Sequence, residues 1–224
     1  EIGTARFDHY YKKRGTKIDS FFKFKYILFL GCSHKFDEVD VLIKLDQILE
    51  NNKIFKDIKI IYRPHPWRQG SKDYVNDLKN VKMDTGLVDV LKDKNNPMNS
   101  QDLNYYPSLI QNAEFVIGGI QSMMIETSIF GKYFLALRHD DNKNYSNMKN
   151  VYKNYEHFKG IEKISTFLFC DHLDKIEKLL VDCNLKKVEV VDYEKIDKEL
   201  NEIIFYDKRD YNLRLYESVK KIID

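Results

Sequence analysis

The chain has 224 residues, 43% of them hydrophobic and 13% aromatic, which is enough to bury a sizeable core and too apolar for a disordered segment. Its 37 Lys and Arg nearly balance 35 Asp and Glu, a net charge of +2 that gives no electrostatic case for nucleic-acid binding. Only 9 Gly and 4 Pro argue against a turn-rich β-sandwich, and Cys32, Cys170 and Cys183, with no CxxC or Cys/His cluster, argue against a zinc site and fit a reducing compartment.

Glu1–Ser20 is polar, carries Gly3, Gly15 and the basic run Lys12-Lys13-Arg14, and reads as a linker with one helical turn. Lys25–Gly31 is an apolar run ending at glycine, the pattern of a buried strand. Across Asp37–Asn51, Val39, Leu42, Ile43, Leu45 and Ile48 fall on one helical face behind acidic residues suited to a helix start. Ile58–Tyr62 is a second strand, halted by Arg63-Pro64-His65-Pro66. Lys72–Asn80 reads as a short helix, Val81–Asp84 as a short strand, and Gly86–Ser100 as irregular with a helical turn near Val88–Leu91. Asp102–Asn112 reads as a helix capped by Ser100 or Asp102 and bent by Pro107. Glu114–Ile117 is a strand running into Gly118-Gly119, Ser122–Phe130 a helix closed by Gly131, and Tyr133–Leu137 a strand. Asn142–Glu156 reads as a loop with a helix inside it, Ser165–Cys170 as a strand, Leu173–Val181 as an amphipathic segment, and 192–224 as two more helical stretches.

Strand and helix alternate about six times, the signature of an α/β protein with a Rossmann-like parallel sheet flanked by helices. Ligands of such sheets sit at the carboxyl ends of the strands. Three strand ends carry unusual chemistry: Gly31-Cys32-Ser33-His34, Arg63-Pro64-His65-Pro66-Trp67-Arg68, and Gly118-Gly119-Ile120-Gln121-Ser122. In the second, prolines stiffen the backbone around an imidazole and two guanidiniums able to clamp a phosphate; the plainer reading is a rigid loop with solvated charges. In the third, Gly118 and Gly119 let the backbone approach a ligand, while Ser122 caps the next helix and offers a hydroxyl to a phosphate. Glu126 lies one turn on, placed to accept from ribose hydroxyls; the plainer reading is a capped core helix with a solvated Glu126. The first strand end is weaker: Ser33 and His34 could cap a helix or touch phosphate, but neither a GxGxxG nor a P-loop pattern is present. His9, His139, His157 and His172 read as structural or surface residues, Arg138-His139-Asp140-Asp141 as loop charge, Tyr105-Tyr106 as helix packing, and Asp37-Glu38 as acidic residues favouring their helix start.

These residues, in this order, resemble the C-terminal domain of two-domain GT-B transferases of surface-polymer biosynthesis: the CDP-glycerol glycerophosphotransferases together with the capsule polysaccharide, Kdo- and polysialyl-transferases. Arg63-Pro64-His65-Pro66 resembles their His-Pro motif. Tyr106-Pro107-Ser108-Leu109-Ile110 followed by Ala113-Glu114-Phe115-Val116-Ile117 resembles their helix-and-strand segment, and Ser122-Met123-Met124-Ile125-Glu126 their hydroxyl-to-carboxylate motif. Met123 stands where many relatives carry Ser or Thr, and Glu126 follows Ser122 by four residues instead of five. Gly3-Thr4-Ala5-Arg6-Phe7-Asp8 resembles their inter-domain segment, with Ala5 in place of proline.

The resemblance implies a C-terminal GT-B half divided into a linker (1–20), a nucleotide-donor-binding domain (21–185) and C-terminal helices (186–224), with an acceptor domain expected before Glu1. It implies a CDP-, CMP- or UDP-linked donor and no other cofactor or metal. His65 and Arg63 would carry the leaving-group charge, and Ser33, Arg68, Gly118, Gly119, Gln121, Ser122, Met123 and Glu126 would hold the nucleotide. A polysaccharide or lipid-linked acceptor would meet the other domain, in a cytoplasmic setting that allows peripheral contact with the inner face of a membrane; this half alone would bind nucleotide and turn over little. A UDP-sugar 2-epimerase-like enzyme and a non-catalytic GT-B-like module are the alternatives.

Overall fold

A computed structural model describes residues 3–65, 75–84, 86, 104–187, 190–206 and 209–223. The strands are β1 (Lys25–Leu30), β2 (Ile58–Arg63), β3 (Val81–Met83), β4 (Val116–Gly119), β5 (Phe134–Leu137) and β6 (Phe167–Cys170). They form one sheet of order β3-β2-β1-β4-β5-β6, parallel at every pairing. The order reverses between β1 and β4, so the topological switch point of the sheet lies there. β1 is hydrogen-bonded on both sides, and Tyr26 to Leu30 are all buried, which is why its sequence is a continuous apolar run instead of an alternating one.

The principal helices among the described residues are α1 (Ala5–Lys13), α2 (Glu38–Asn51), α3 (Tyr105–Asn112), α4 (Met123–Ile129), α5 (Met148–Asn154), α6 (Ile176–Lys186), α7 (Tyr193–Asn201) and α8 (Tyr211–Ile223). None is long and apolar enough to cross a membrane. Asp37 caps α2 by accepting the Asp40 N–H at 3.1 Å, so Ser33 does not serve as that cap. α3 starts at Tyr105 behind Asn104, whose side chain makes no capping bond; Ser100 and Asp102 lie outside the described residues. Pro107 is the third residue of α3, where a missing N–H leaves no helical bond unmade. Of the expected helix at Lys72–Asn80, residues 72–74 lie outside the described residues and the chain from 76 to 80 is turn and bend, so no helix runs on to Asn80; the turn expected at Val88–Leu91 lies wholly outside the described residues.

The Glu1–Ser20 segment holds more structure than a linker with one turn. Thr4 caps a nine-residue helix by accepting the Arg6 N–H at 3.3 Å. Asp8 is buried and accepts from Arg214 Nη2 at 3.0 Å and from the Tyr211 N–H at 2.8 Å, which fastens α1 to α8. Arg14 pairs with both carboxylate oxygens of Asp197 at 2.6 and 2.7 Å, between the rings of Tyr11 and Tyr193. Gly3 has φ +67°, and a Cβ there would run into the Phe205 carbonyl. Gly3 and Asp8 are thus tied to the C-terminal segments, and Arg6 points the other way.

Candidate functional site

The pairing register aligns Leu30 with both Arg63 and Gly118, so β1, β2 and β4 end side by side. Above these ends lies a cleft of about 450 Å³, within the range of small-ligand sites. Its walls include Gly31, Ser33 and His34 after β1, Arg63, Pro64 and His65 at β2, and Gln121, Ser122 and Met123 after β4. The proline-stiffened imidazole corner and the double-glycine turn therefore face the same opening, at the switch point.

Small residues and one buried carboxylate bring these corners together. A Cβ on Gly31 would lie 2.8 Å from the His65 amide nitrogen and 2.9 Å from Pro64 Cα, so glycine lets the proline corner press against the end of β1. Glu38 is turned inward: it accepts the Cys32 N–H at 3.0 Å and the Tyr62 hydroxyl at 2.6 Å, fixing the turn after β1 to β2. Its place in the first turn of α2 suggested only a favourable helix start.

Arg63 is nearly buried, and its charge is already answered. Nη1 donates to Asp84 Oδ2 at 2.5 Å and Nη2 to the Tyr106 hydroxyl at 2.6 Å. Tyr105 also hydrogen-bonds Asp84, and the guanidinium carbon lies 4.3 Å from the centroid of the Tyr106 ring. The two tyrosines form the box that holds Arg63, a role beyond helix packing.

The turn after β4 differs in detail from its sequence reading. A Cβ on Gly118 would meet the Leu30 carbonyl oxygen at 2.5 Å, and one on Gly119 would meet Met148 Sδ at 2.5 Å and Cys32 Sγ at 2.9 Å. Protein is therefore packed closely against both glycines, backbone at Gly118 and side chains at Gly119. The Gln121 side-chain amide donates to the Leu30 carbonyl at 3.1 Å, tying this turn to β1. Ser122 precedes α4, makes no capping bond, and stands exposed at the cleft.

Glu126 is neither solvated nor open to the cleft: its side chain is 0% exposed and paired with Arg6. Its Oε2 has no hydrogen-bond partner among the described residues. Burial, offset in part by Arg6, pushes its carboxyl up to about 7. Arg6 is 48% exposed, lines the cleft, and also reaches Met123 Sδ at 3.4 Å.

Arg68 and Trp67 lie outside the described residues. Of the remaining site candidates, Ser33, Arg63, His65, Gln121, Ser122 and Met123 line the cleft; Gly118 and Gly119 form the turn beneath it, and Glu126 lies behind Arg6. Two contributors escaped the sequence reading. Arg6 comes from the segment read as linker, and His157 comes from the stretch after α5 that returns over the site. His34, His65 and His157 thus share one cleft. Asp140 and Asp141 serve their own loop: Asp140 accepts from the Asn142 N–H and Asn147 Nδ2 at 2.9 Å each, and Asp141 from the Asn144 N–H at 2.9 Å and the Asp37 N–H at 3.0 Å. Neighbouring His139 is buried, and that burial lowers its imidazole below the ordinary range.

No protein-family model and no curated protein sequence matches the chain. Among solved structures, it is similar to the wall teichoic acid polymerase TagF, with a TM-score of 0.52 and 16% identity over 100% of this chain and 52% of that one. A TagF H444N crystal soaked with CDPG gives 0.51 at 16% identity, over 100% of this chain and 53% of that one. Methanocaldococcus jannaschii UDP-GlcNAc 2-epimerase, in complex with UDP-GlcNAc and UDP, gives 0.49 at 14% identity, over 90% of this chain and 53% of that one. The chain thus spans about half the length of these proteins and shares the Rossmann-like α/β fold of a GT-B half.

Proposed function

We propose that this chain is the donor-binding half of a GT-B-type transferase that takes a CDP-, CMP- or UDP-activated sugar or alditol for building a surface polysaccharide. The observation that carries the reading is the switch-point cleft, where His65, Ser33 and Ser122 come from three neighbouring strand ends together with Arg6. Transfer leaves negative charge on the departing nucleoside phosphate, and donors held in a preorganised cleft stabilise that charge better than water does. In this reading His65 meets the phosphates, Arg63 braces the corner that carries it, and the base that activates the acceptor comes from the other half of the protein. The likeness to TagF supports the fold alone; the chemistry of the cleft supports a phosphate-bearing ligand, and the pyrimidine-nucleotide donor class is what the family resemblance of the motifs implies.

Thermal unfolding in the presence of a CDP, CMP and UDP panel tests the reading. A ligand at about a hundredfold its Kd adds roughly 2.7 kcal/mol, or on the order of 5–10 °C for a domain of this size. His65→Ala should abolish the shift without lowering the unliganded midpoint. If no nucleotide moves the midpoint of the wild-type protein, the reading is wrong.

A further inference from the structure

Both arginines described at this cleft are paired with buried carboxylates, but they are not equivalent. Arg63 is 5% exposed, with both terminal nitrogens engaged by Asp84 and Tyr106. Arg6 is 48% exposed, and only its Nη2 meets partners among the described residues, Glu126 Oε1 and Met123 Sδ. A guanidinium carries five N–H donors in a fixed fork, so one edge can hold a carboxylate while the other stays available to a second anion. For Arg6 the occupied edge faces Glu126, and its side chain lines the cleft that also holds His65, Ser33 and Ser122.

We infer that Arg6 is the guanidinium that receives the phosphate part of a ligand in this cleft, and that Glu126 is the buried carboxylate that positions it instead of a group reaching the ligand itself. The ligand class rests on the donor-binding reading above; the role of Arg6 rests on the geometry. Glu126 has no exposed surface and its carboxylate is held by Arg6, so direct contact with a ligand would require Arg6 to move aside. The root of Arg6 is fixed, because Thr4 caps α1 and Asp8 fastens it to α8. The sulfur of Met123 offers no donor to an anion, but it lies against Arg6 Nη2, so the Met123 position supports the guanidinium. Tyr10, on the same helix, is buried nearby, and burial together with Glu126 raises its hydroxyl pKa, which keeps it neutral. Tyr10 thus adds no negative charge beside the Arg6–Glu126 pair, and Arg6 is the member of that pair that reaches the cleft.

Isothermal titration with inorganic pyrophosphate, CDP and UDP tests the first half. Arg6→Gln should weaken pyrophosphate and the bound nucleotide at least tenfold with an unchanged circular-dichroism spectrum, and Arg6→Lys should recover part of the loss by keeping the charge without the fork. Unchanged affinities in Arg6→Gln, tighter nucleotide binding once Glu126 is uncovered, or no pyrophosphate binding by the wild-type protein overturns the inference. Pyrophosphate binding that depends on Arg6 without any nucleotide binding sustains it and defeats the donor reading instead. For the second half, the affinity ratio of CDP to 2′,3′-dideoxy-CDP, and of the UDP pair, should be the same in wild type and Glu126→Gln. A ratio that collapses in the variant shows that Glu126 meets the ribose and overturns the positioning role.

Discussion

Glu126 holds a carboxyl group where its charge is disfavoured, and the folded protein responds by binding a proton more tightly there than the unfolded chain does. Its carboxyl rises from an ordinary 4.5 to about 7, chiefly through burial, with Arg6 pulling the other way. A raised folded value means that stability is greatest below the unfolded value and falls as pH climbs through the interval from 4.5 to about 7. At about 1.36 kcal/mol per pH unit of displacement, the contribution is on the order of 3 kcal/mol. Urea denaturation at pH 5 and pH 8 should therefore show a loss in the wild-type protein that is much smaller in Glu126→Gln. Parallel profiles for the two proteins would show that Glu126 ionises freely in the folded state.

At the scale of elements, the turn after β4 is held by contacts that differ in how far they can yield. A Cβ on Gly118 would meet the Leu30 carbonyl oxygen, which is fixed in the sheet; one on Gly119 would meet the thioether of Met148, the end of a flexible side chain. Gly118→Ala should therefore cost about 2–3 kcal/mol in chemical denaturation, and Gly119→Ala clearly less. Equal losses would mean that Met148 is held as rigidly as the strand. The elements themselves were largely legible in the sequence, because buried parallel strands such as Tyr26–Leu30 are short apolar runs and α2 keeps a helical apolar period behind an acidic start. The three strand-end corners were legible because proline and glycine stop strands while polar residues cluster there. What stayed hidden depends on approaches between distant parts of the chain. Arg6 meets Glu126, Arg63 meets Asp84, and Glu38 turns inward to Cys32 and Tyr62; no local periodicity records such meetings. Ser122 looked like a helix cap because serine favours that place, yet α4 starts without its hydroxyl.

At the scale of the molecule, the N-terminal helix is bound to the C-terminal segments by buried charge. Asp8 holds Arg214, which is 2% exposed, so Asp8→Ala leaves a buried guanidinium without its carboxylate. The expected loss is about 3 kcal/mol. Amide hydrogen exchange should rise in α1 and α8 together while β1 keeps its protection. Equal acceleration in β1 would show that these helices and the sheet open as a single unit.

β1 is locked between β2 and β4, so the bottom of the cleft has little freedom to change shape. Part of its sides is recruited from remote stretches: Arg6 from the start of the chain, and His157 and Phe158 from beyond α5. Adaptation to occupants of different size or charge must then fall to these borrowed sides. If the cleft takes a donor as proposed, substitutions at these sides should change which ligand it prefers while the sheet stays intact.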